Sequence, residues 1–462
     1  MGWHLVGALS GVQIIIFLAG AALVPLFQIR WVGAGAGAGD NASRRLGEAA
    51  ATPLLSGLLI AFIAVLTLRS FPATAVVISA LAVIGAARLG WALFRGYRPT
   101  FNWRVIPSLL FVFILLLGIG SEAFFIPLKE WDSRSIWFFH AKIMTTLGGL
   151  HDAPIWTAPE IQFSSVIHPK LLPTVGAVMP SIFNVWNEFL PKAGLLLLAF
   201  PALMTLLCFS TGRASGWFLM ILFPFAIGEF IFNGMADGYF ALYGALAVLF
   251  LGRYLEDGAR ADLIHTLLCL GVTASIKSEG LMLIGVAALA SGLVAWMYKV
   301  RPIFDLRIFA AALLSFAPIV LWARVKFQWG LSDQAHLNVG PEALERLMAQ
   351  STQLPFILHH LIMETGLWRA LLFAVGAIVC AVALHRRASC GLAFVSITGV
   401  GFLCGLALIY AGGSADLQWM LDVSASRTTM IVTLLMIACV YRGLDQIIVE
   451  ISARRKNNAL ST

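Results

Sequence analysis

Long apolar runs separated by short polar turns make up most of this chain. A helix of about 20 apolar residues can cross a bilayer, and the pattern predicts about thirteen such spans. The first four cover about Leu5–Phe27, Pro53–Leu68, Ala73–Phe94 and Val105–Ile126. The next five cover about Ala193–Ser210, Gly216–Phe232, Tyr239–Leu251, Leu263–Ile276 and Leu281–Met297. The last four cover about Ile308–Trp322, Leu371–Leu384, Gly391–Tyr410 and Met430–Ile448. Leu171–Trp186 is apolar but short, and Pro169, Pro173 and Pro180 interrupt it. Proline breaks the helical hydrogen-bond ladder, so this segment is predicted to lie along the membrane surface.

Two long segments depart from the pattern. The first, about 127–191, contains a polar and aromatic stretch from Lys129 to Lys170, with Glu130, Asp132, Arg134, His140, Lys142, His168 and Lys170. The second, about 325–368, contains Pro341–Met348, which reads as a short amphipathic helix opened by proline. Gly33–Gly39 alternates Gly and Ala and reads as a flexible linker. There is no repeat of fixed period and no soluble domain in the pattern.

Basic residues set the orientation, because cytoplasmic loops of membrane proteins collect Lys and Arg. With the Asp132 segment outside, the inner loops hold Arg30, Arg44, Arg45, Arg95, Arg98, Arg104, Arg213, Arg253, Arg260, Lys299, Arg301, Arg386 and Arg387. The tail adds Arg442, Arg454, Arg455 and Lys456, while the short outer loops keep only Arg69, Lys277 and Arg427. This alternation holds only if Leu171–Trp186 does not cross. It puts the N-terminus outside and the C-terminus inside.

Composition turns the apolar runs from buried core helices into membrane spans. The chain is 60% hydrophobic and 12% charged, with a mean hydropathy of +0.89, against about 25% charged residues in soluble domains. The expected class is an all-α polytopic integral membrane protein. The net charge of +8 serves topology and lipid headgroups; no nucleic-acid partner is expected. Cys208, Cys269, Cys380, Cys390, Cys404 and Cys439 lie in or beside apolar runs without metal-ligand spacing, and read as packing residues. The start, Met1-Gly2-Trp3-His4, lacks the basic region of a signal peptide, so the first apolar run is expected to be retained.

Four polar clusters fall on the outer side of this topology. They are the Asp132 stretch, Asn233–Tyr239 with Asp237, Ser275–Gly280 with Lys277 and Glu279, and Ala415–Arg427. Charges near membrane depth are costly, so they pair or line a functional cavity. Structural explanations compete. Lys277 and Glu279 also fit a simple mutual pair, Asp237 a turn beside glycines, Arg427 a span anchor, and His140 and His168 packing. No Cys/His metal motif, nucleophile elbow or Walker loop is present. What remains is carboxylates and cations at an outer membrane surface. A carboxylate can take a proton from a hydroxyl, and Arg or Lys can hold a phosphate as its charge develops. Together they suit transfer of a group from a lipid phosphate, and sugar transfer is the commonest such reaction.

At these residues the chain resembles the GT-C superfamily of multispanning glycosyltransferases, in the protein mannosyltransferase and aminoarabinose transferase branch. An acidic residue just after a span is matched by Trp131-Asp132-Ser133-Arg134-Ser135-Ile136-Trp137. A His-Pro element opening a helix is matched by His168-Pro169-Lys170. A later acidic residue at the outer start of a span is matched by Ala236-Asp237-Gly238-Tyr239. Lys277-Ser278-Glu279-Gly280 and Ser424-Ala425-Ser426-Arg427 complete the set. The chain departs in two ways: three spans precede this unit, and the first acidic motif reads Glu130-Trp131-Asp132 rather than as the usual pair.

The resemblance implies residues 1–104 as an N-terminal three-helix addition and 105–462 as a GT-C-like catalytic module. It implies Asp132 as general base and Asp237 as its assistant. Asp132 and Asp237 are the expected ligands if a divalent cation such as Mg or Mn is used. Lys277 and Arg427 would hold the donor phosphate. Arg134, His140, Lys142, His168, Lys170 and Glu279 would shape the substrate site. The implied donor is a polyprenyl-phosphate-linked sugar, and the acceptor a glycan, lipid or protein hydroxyl. The implied setting is the periplasmic face of a bacterial inner membrane. Three other readings stay open: a secondary transporter or flippase, a ligase or polymerase using a pyrophosphate-linked donor, and a non-catalytic scaffold.

Overall fold

The computed structural model describes residues 2–24, 42–95, 103–151, 154–210, 214–301, 303, 305–331, 341–363, 367–385, 389–413 and 416–461. The Gly33–Gly39 linker lies outside these, as do Arg30, Arg98, Arg213, Arg386, Arg387 and Ala415. All regular structure among the described residues is helical. Ten helices are long and apolar enough to cross a membrane, or eleven if the bent pair Ser351–Met363 and Trp368–Val379 forms one span. The sequence predicted about thirteen. The difference lies in two short helices, Ala214–Ile227 with 14 residues and Arg260–Ile276 with 17.

The N-terminal helices are α1 (Gly2–Ala21), α2 (Ala42–Leu68) and α3 (Phe71–Phe94). They cross almost backbone to backbone. A Cβ on Gly57 would sit 1.9 Å from the Ile16 carbonyl oxygen, and one on Gly85 1.9 Å from that of Leu18. Small residues at crossings are how helices pack where lipid offers no hydrophobic contrast. The trio is not a detached unit. The stretch Ala51–Leu59 of α2 is entirely buried. Glu48 on the same helix meets Arg253 at 3.1 Å, and Thr52 meets His265 Nε2 at 2.8 Å. Hydropathy placed the start of this span at Pro53, but the helix begins eleven residues earlier. Its polar first turns are satisfied by Arg44–Glu48 pairing and by Arg253.

Helix α4 (Ile106–Phe125) leads into the first long segment between spans. There lie α5 (Phe138–Leu147) and α6 (Leu171–Phe183), and α7 (Phe189–Gly194) with α8 (Leu196–Leu206) belongs to the next candidate span, Phe189–Phe209. At 13 residues, α6 is too short to span, as its prolines predicted. Next come α9 (Ala214–Ile227), α10 (Ala236–Asp257), α11 (Arg260–Ile276), α12 (Glu279–Tyr298) and α13 (Leu306–Gln328). The second long segment carries α14 (Pro341–Ala349), the amphipathic helix expected there, and α15 (Leu354–Met363). Helices α16 (Leu367–His385), α17 (Cys390–Gly412), α18 (Leu417–Thr428) and α19 (Met430–Ser461) complete the chain.

The core centres on α10, buried from Ala236 to Leu255 against its neighbours. Its two ends carry separate charged networks. At the C-terminal end, Arg253 pairs with Asp262 and donates to the Cys208 carbonyl at 2.9 Å. Nearby, Arg442 pairs with Glu256 at 2.9 Å. At the N-terminal end stands Asp237. Sixteen residues of helix separate Asp237 from Arg253, or about 24 Å at 1.5 Å per residue. That approaches the thickness of a bilayer's hydrocarbon core, about 30 Å.

Candidate functional site

The chain leaves α4 in extended form at Ile126 and turns back into helix at Trp131. The sequence suggested a loop here. Instead a π-helical turn, Ser133–Trp137, runs directly into α5. The Phe138 amide donates to the Ser133 carbonyl, and this wider turn buries both Ser133 and Trp137. The Ser133 hydroxyl donates to the Asn233 carbonyl at 2.7 Å, tying the Asp132 turn to the loop before α10.

Asp132 accepts from Arg427 Nη1 at 2.5 Å. Arg427 comes from the last turn of α18, 295 residues away. Asp237 is in the first turn of α10, where the helix dipole favours a carboxylate. It accepts from Lys277 Nζ at 2.9 Å. Lys277 is the extended residue joining α11 to α12, and it also pairs with Glu279 at 2.9 Å. Burial opposes the charge on Lys277, yet Asp237 and Glu279 outweigh it and hold the ammonium above the ordinary lysine range. Gly238 keeps the start of α10 against the preceding turn. A Cβ there would lie 2.4 Å from the Phe230 carbonyl oxygen.

These contacts close a ring. Arg427 lies near enough to Asp237 for their charges to interact, as His168 does to Glu279. The His168 ring packs against Trp137 with centroids 5.3 Å apart, and the π turn leads from Trp137 back to Asp132. Four polar atoms of this neighbourhood are buried without a protein partner: Arg427 Nε, Glu279 Oε2, Asn233 Nδ2 and Trp137 Nε1. Such atoms are rare in folded proteins and mark positions where a ligand or water completes the bonding. They include both donors and an acceptor, which matches hydroxyl groups as well as an anion.

Of the residues singled out in the sequence, Asp132, Asp237, Lys277, Glu279, Arg427 and His168 come together. Arg134 and Lys142 are exposed to solvent and take no part in the ring's pairing. His140 and Lys170 are fully buried in a knot beneath the segment. Lys170 Nζ donates to the Val166 carbonyl at 2.6 Å and meets His140 Nδ1 at 3.2 Å, while His140 Nε2 meets Ser164 Oγ at 2.9 Å. Trp156 and Trp322 face the amine at 5.4 and 5.1 Å. Burial pushes the Lys170 and His140 pKa values well down, with help from Lys326 and from Lys170 respectively. They brace the segment before α6 rather than line the ring. Ser133, Trp137 and Asn233 were not singled out by sequence. Their only signal was position beside Asp132 and Asp237.

Among the described residues no three His, Cys, Asp or Glu side chains converge as metal ligands. Asp132 and Asp237 each already face a cation of the protein. A large apolar cavity, about 680 Å³, lies elsewhere, between α1, α4 and α8, and is lined by residues such as Leu9, Phe113, Leu116 and Phe200.

No protein family, no curated protein and no solved structure matches the chain.

Proposed function

We propose that this protein is a membrane glycosyltransferase of the GT-C type. It moves one sugar from a polyprenyl phosphate to a hydroxyl of a glycan, lipid or protein. The carrying observation is the convergence of Asp132, Asp237, Glu279, Lys277 and Arg427 from four distant parts of the chain at one end of the bundle. Counting α9, α11 and the bent pair as spans gives thirteen crossings. With the distribution of basic residues, that count supports a periplasmic position for this end in a bacterial inner membrane. The apolar cavity beside α4, the helix leading to Asp132, offers room for a hydrocarbon chain.

In this reading the acceptor oxygen attacks the anomeric carbon while the bond from that carbon to the phosphate oxygen breaks. The acceptor's proton passes to the Asp132 carboxylate. The phosphate leaves with the bonding electrons and is held by Arg427 and Lys277. Arg427 is thus shared between base and leaving group. Asp237 and Glu279 hold Lys277 in place. One displacement inverts the configuration, and no step needs a metal.

The test uses purified full-length protein in nanodiscs with a panel of short-chain polyprenyl-phosphate sugars, following donor loss by mass spectrometry. Wild type should consume one donor, and Asp132→Asn should slow this by about 10²–10⁴-fold, the usual worth of a positioned base. Full activity in Asp132→Asn, or no donor consumed by wild type, would sink the proposal.

A further inference from the structure

The apolar cavity between α1, α4 and α8 holds a polar side chain that nothing in its walls satisfies. Its volume of about 680 Å³ falls within the range of about 300–1,000 Å³ usual for small-molecule sites. Leu9, Leu54 and Leu197 form a buried floor, while Ile14, Phe113 and Leu117 are exposed along the mouth. On a membrane span an exposed apolar mouth opens to lipid, so this cavity fills sideways from the bilayer.

Gln13 of α1 lines the same space. Its Oε1 and Nε2 are both buried, and neither has a partner among the described residues. The Ser121 hydroxyl, on the α4 wall, donates to the Gly118 carbonyl of its own helix at 2.8 Å. An amide left unpaired away from water is costly, and in a hydrocarbon layer no water stands by to satisfy it. The occupant that relieves this cost brings both a donor and an acceptor to Gln13.

We propose that the cavity binds a lipid whose hydrocarbon chain carries a hydroxyl, and that this hydroxyl pairs with the Gln13 amide. A hydroxyl is the smallest group that serves both atoms, since its proton goes to Oε1 while its lone pairs accept from Nε2. An unsubstituted acyl or prenyl chain fits the volume but leaves the amide unpaired. A spanning helix of a second copy is about 10 Å across and about 30 Å long, several times too large to enter. Depth adds a further constraint. Gln13 lies eleven residues into α1, about 16 Å along its axis, near the middle of a hydrocarbon core about 30 Å thick. The hydroxyl therefore sits part-way down the chain, away from the headgroup. This site does not depend on the transferase reading.

Ricinoleate and oleate differ only by a mid-chain hydroxyl, and their binding to the full-length protein would be compared by native mass spectrometry. Wild type should bind ricinoleate about three- to tenfold more tightly, the worth of a hydrogen bond inside a membrane. An acid of the same length with its hydroxyl beside the carboxylate should behave like oleate. Gln13→Leu should bind ricinoleate and oleate alike, with oleate affinity kept and no fall in melting temperature. Gly120 also lines the cavity, and a Cβ there meets nothing nearer than 4.0 Å. Gly120→Leu should therefore fill the space and weaken both acids. The site is overturned if wild type does not distinguish ricinoleate from oleate, if the preference survives Gln13→Leu, or if Gly120→Leu leaves both affinities unchanged. A wild-type dimer that Gln13→Leu dissociates, with no preference between the acids, would assign this face to a second copy and overturn the lipid site as well.

Discussion

Lys170 shows how little a residue's type says about its role. From sequence it looked like one more cation beside the His-Pro turn. In the structure it is fully buried between two indoles and a histidine, and burial holds its pKa well below the ordinary lysine value. The unfolded chain then binds a proton that the folded chain releases, so stability rises with pH between the lowered value and the ordinary one. Lys170→Met removes that dependence. Melting curves from about pH 7 to about pH 10 should rise for wild type relative to the variant across this window. Parallel curves would mean that Lys170 keeps its charge in the fold. The five charges of the ring, by contrast, were legible one by one, because an ionisable residue at the edge of an apolar run stands out. Their pairing was not, since Arg427 and Asp132 are 295 positions apart.

Among the helices, hydropathy located the elements but misplaced the ends that matter. It trimmed α2 and α10 at polar residues that are satisfied by tertiary pairing, Glu48 by Arg253 and Asp237 by Lys277. It also missed the π turn at Ser133–Trp137, which no residue pattern announces. Packing among α1, α2 and α3 gives a sharp test. Gly57→Val would drive a side chain into the Ile16 carbonyl, 1.9 Å from the Cβ position, whereas Gly7 has nothing within 4 Å. Overpacking of this kind costs about 1–3 kcal/mol, so Gly57→Val should lower the melting temperature and Gly7→Val should not. Equal melting of the two variants would show that α1 does not seat on α2 in this way.

Across the full bundle, the two charged networks at opposite ends of α10 imply opposite sides of a membrane. Glu160 lies exposed in the first long segment between spans, and Asp257 lies exposed at the C-terminus of α10. Single cysteines at these two positions, in a background without native cysteines, should react with an impermeant maleimide from opposite faces. Glu160→Cys should label in intact cells and Asp257→Cys only after permeabilisation. Labelling of both from one side would break the proposed topology and the periplasmic placement of the ring with it.

That the chain is a helical, multispanning membrane protein follows from its residues alone, because 60% hydrophobic residues in long runs leave no soluble alternative. So does the identity of the ionisable residues at span ends, since in an apolar background each one is costly and conspicuous. Which charges meet, which are exposed and which are entombed emerged only once the helices were packed. Those outcomes depend on contacts between helices far apart in the chain. Helix packing in a membrane is set by shape and small-residue crossings that hydropathy does not encode.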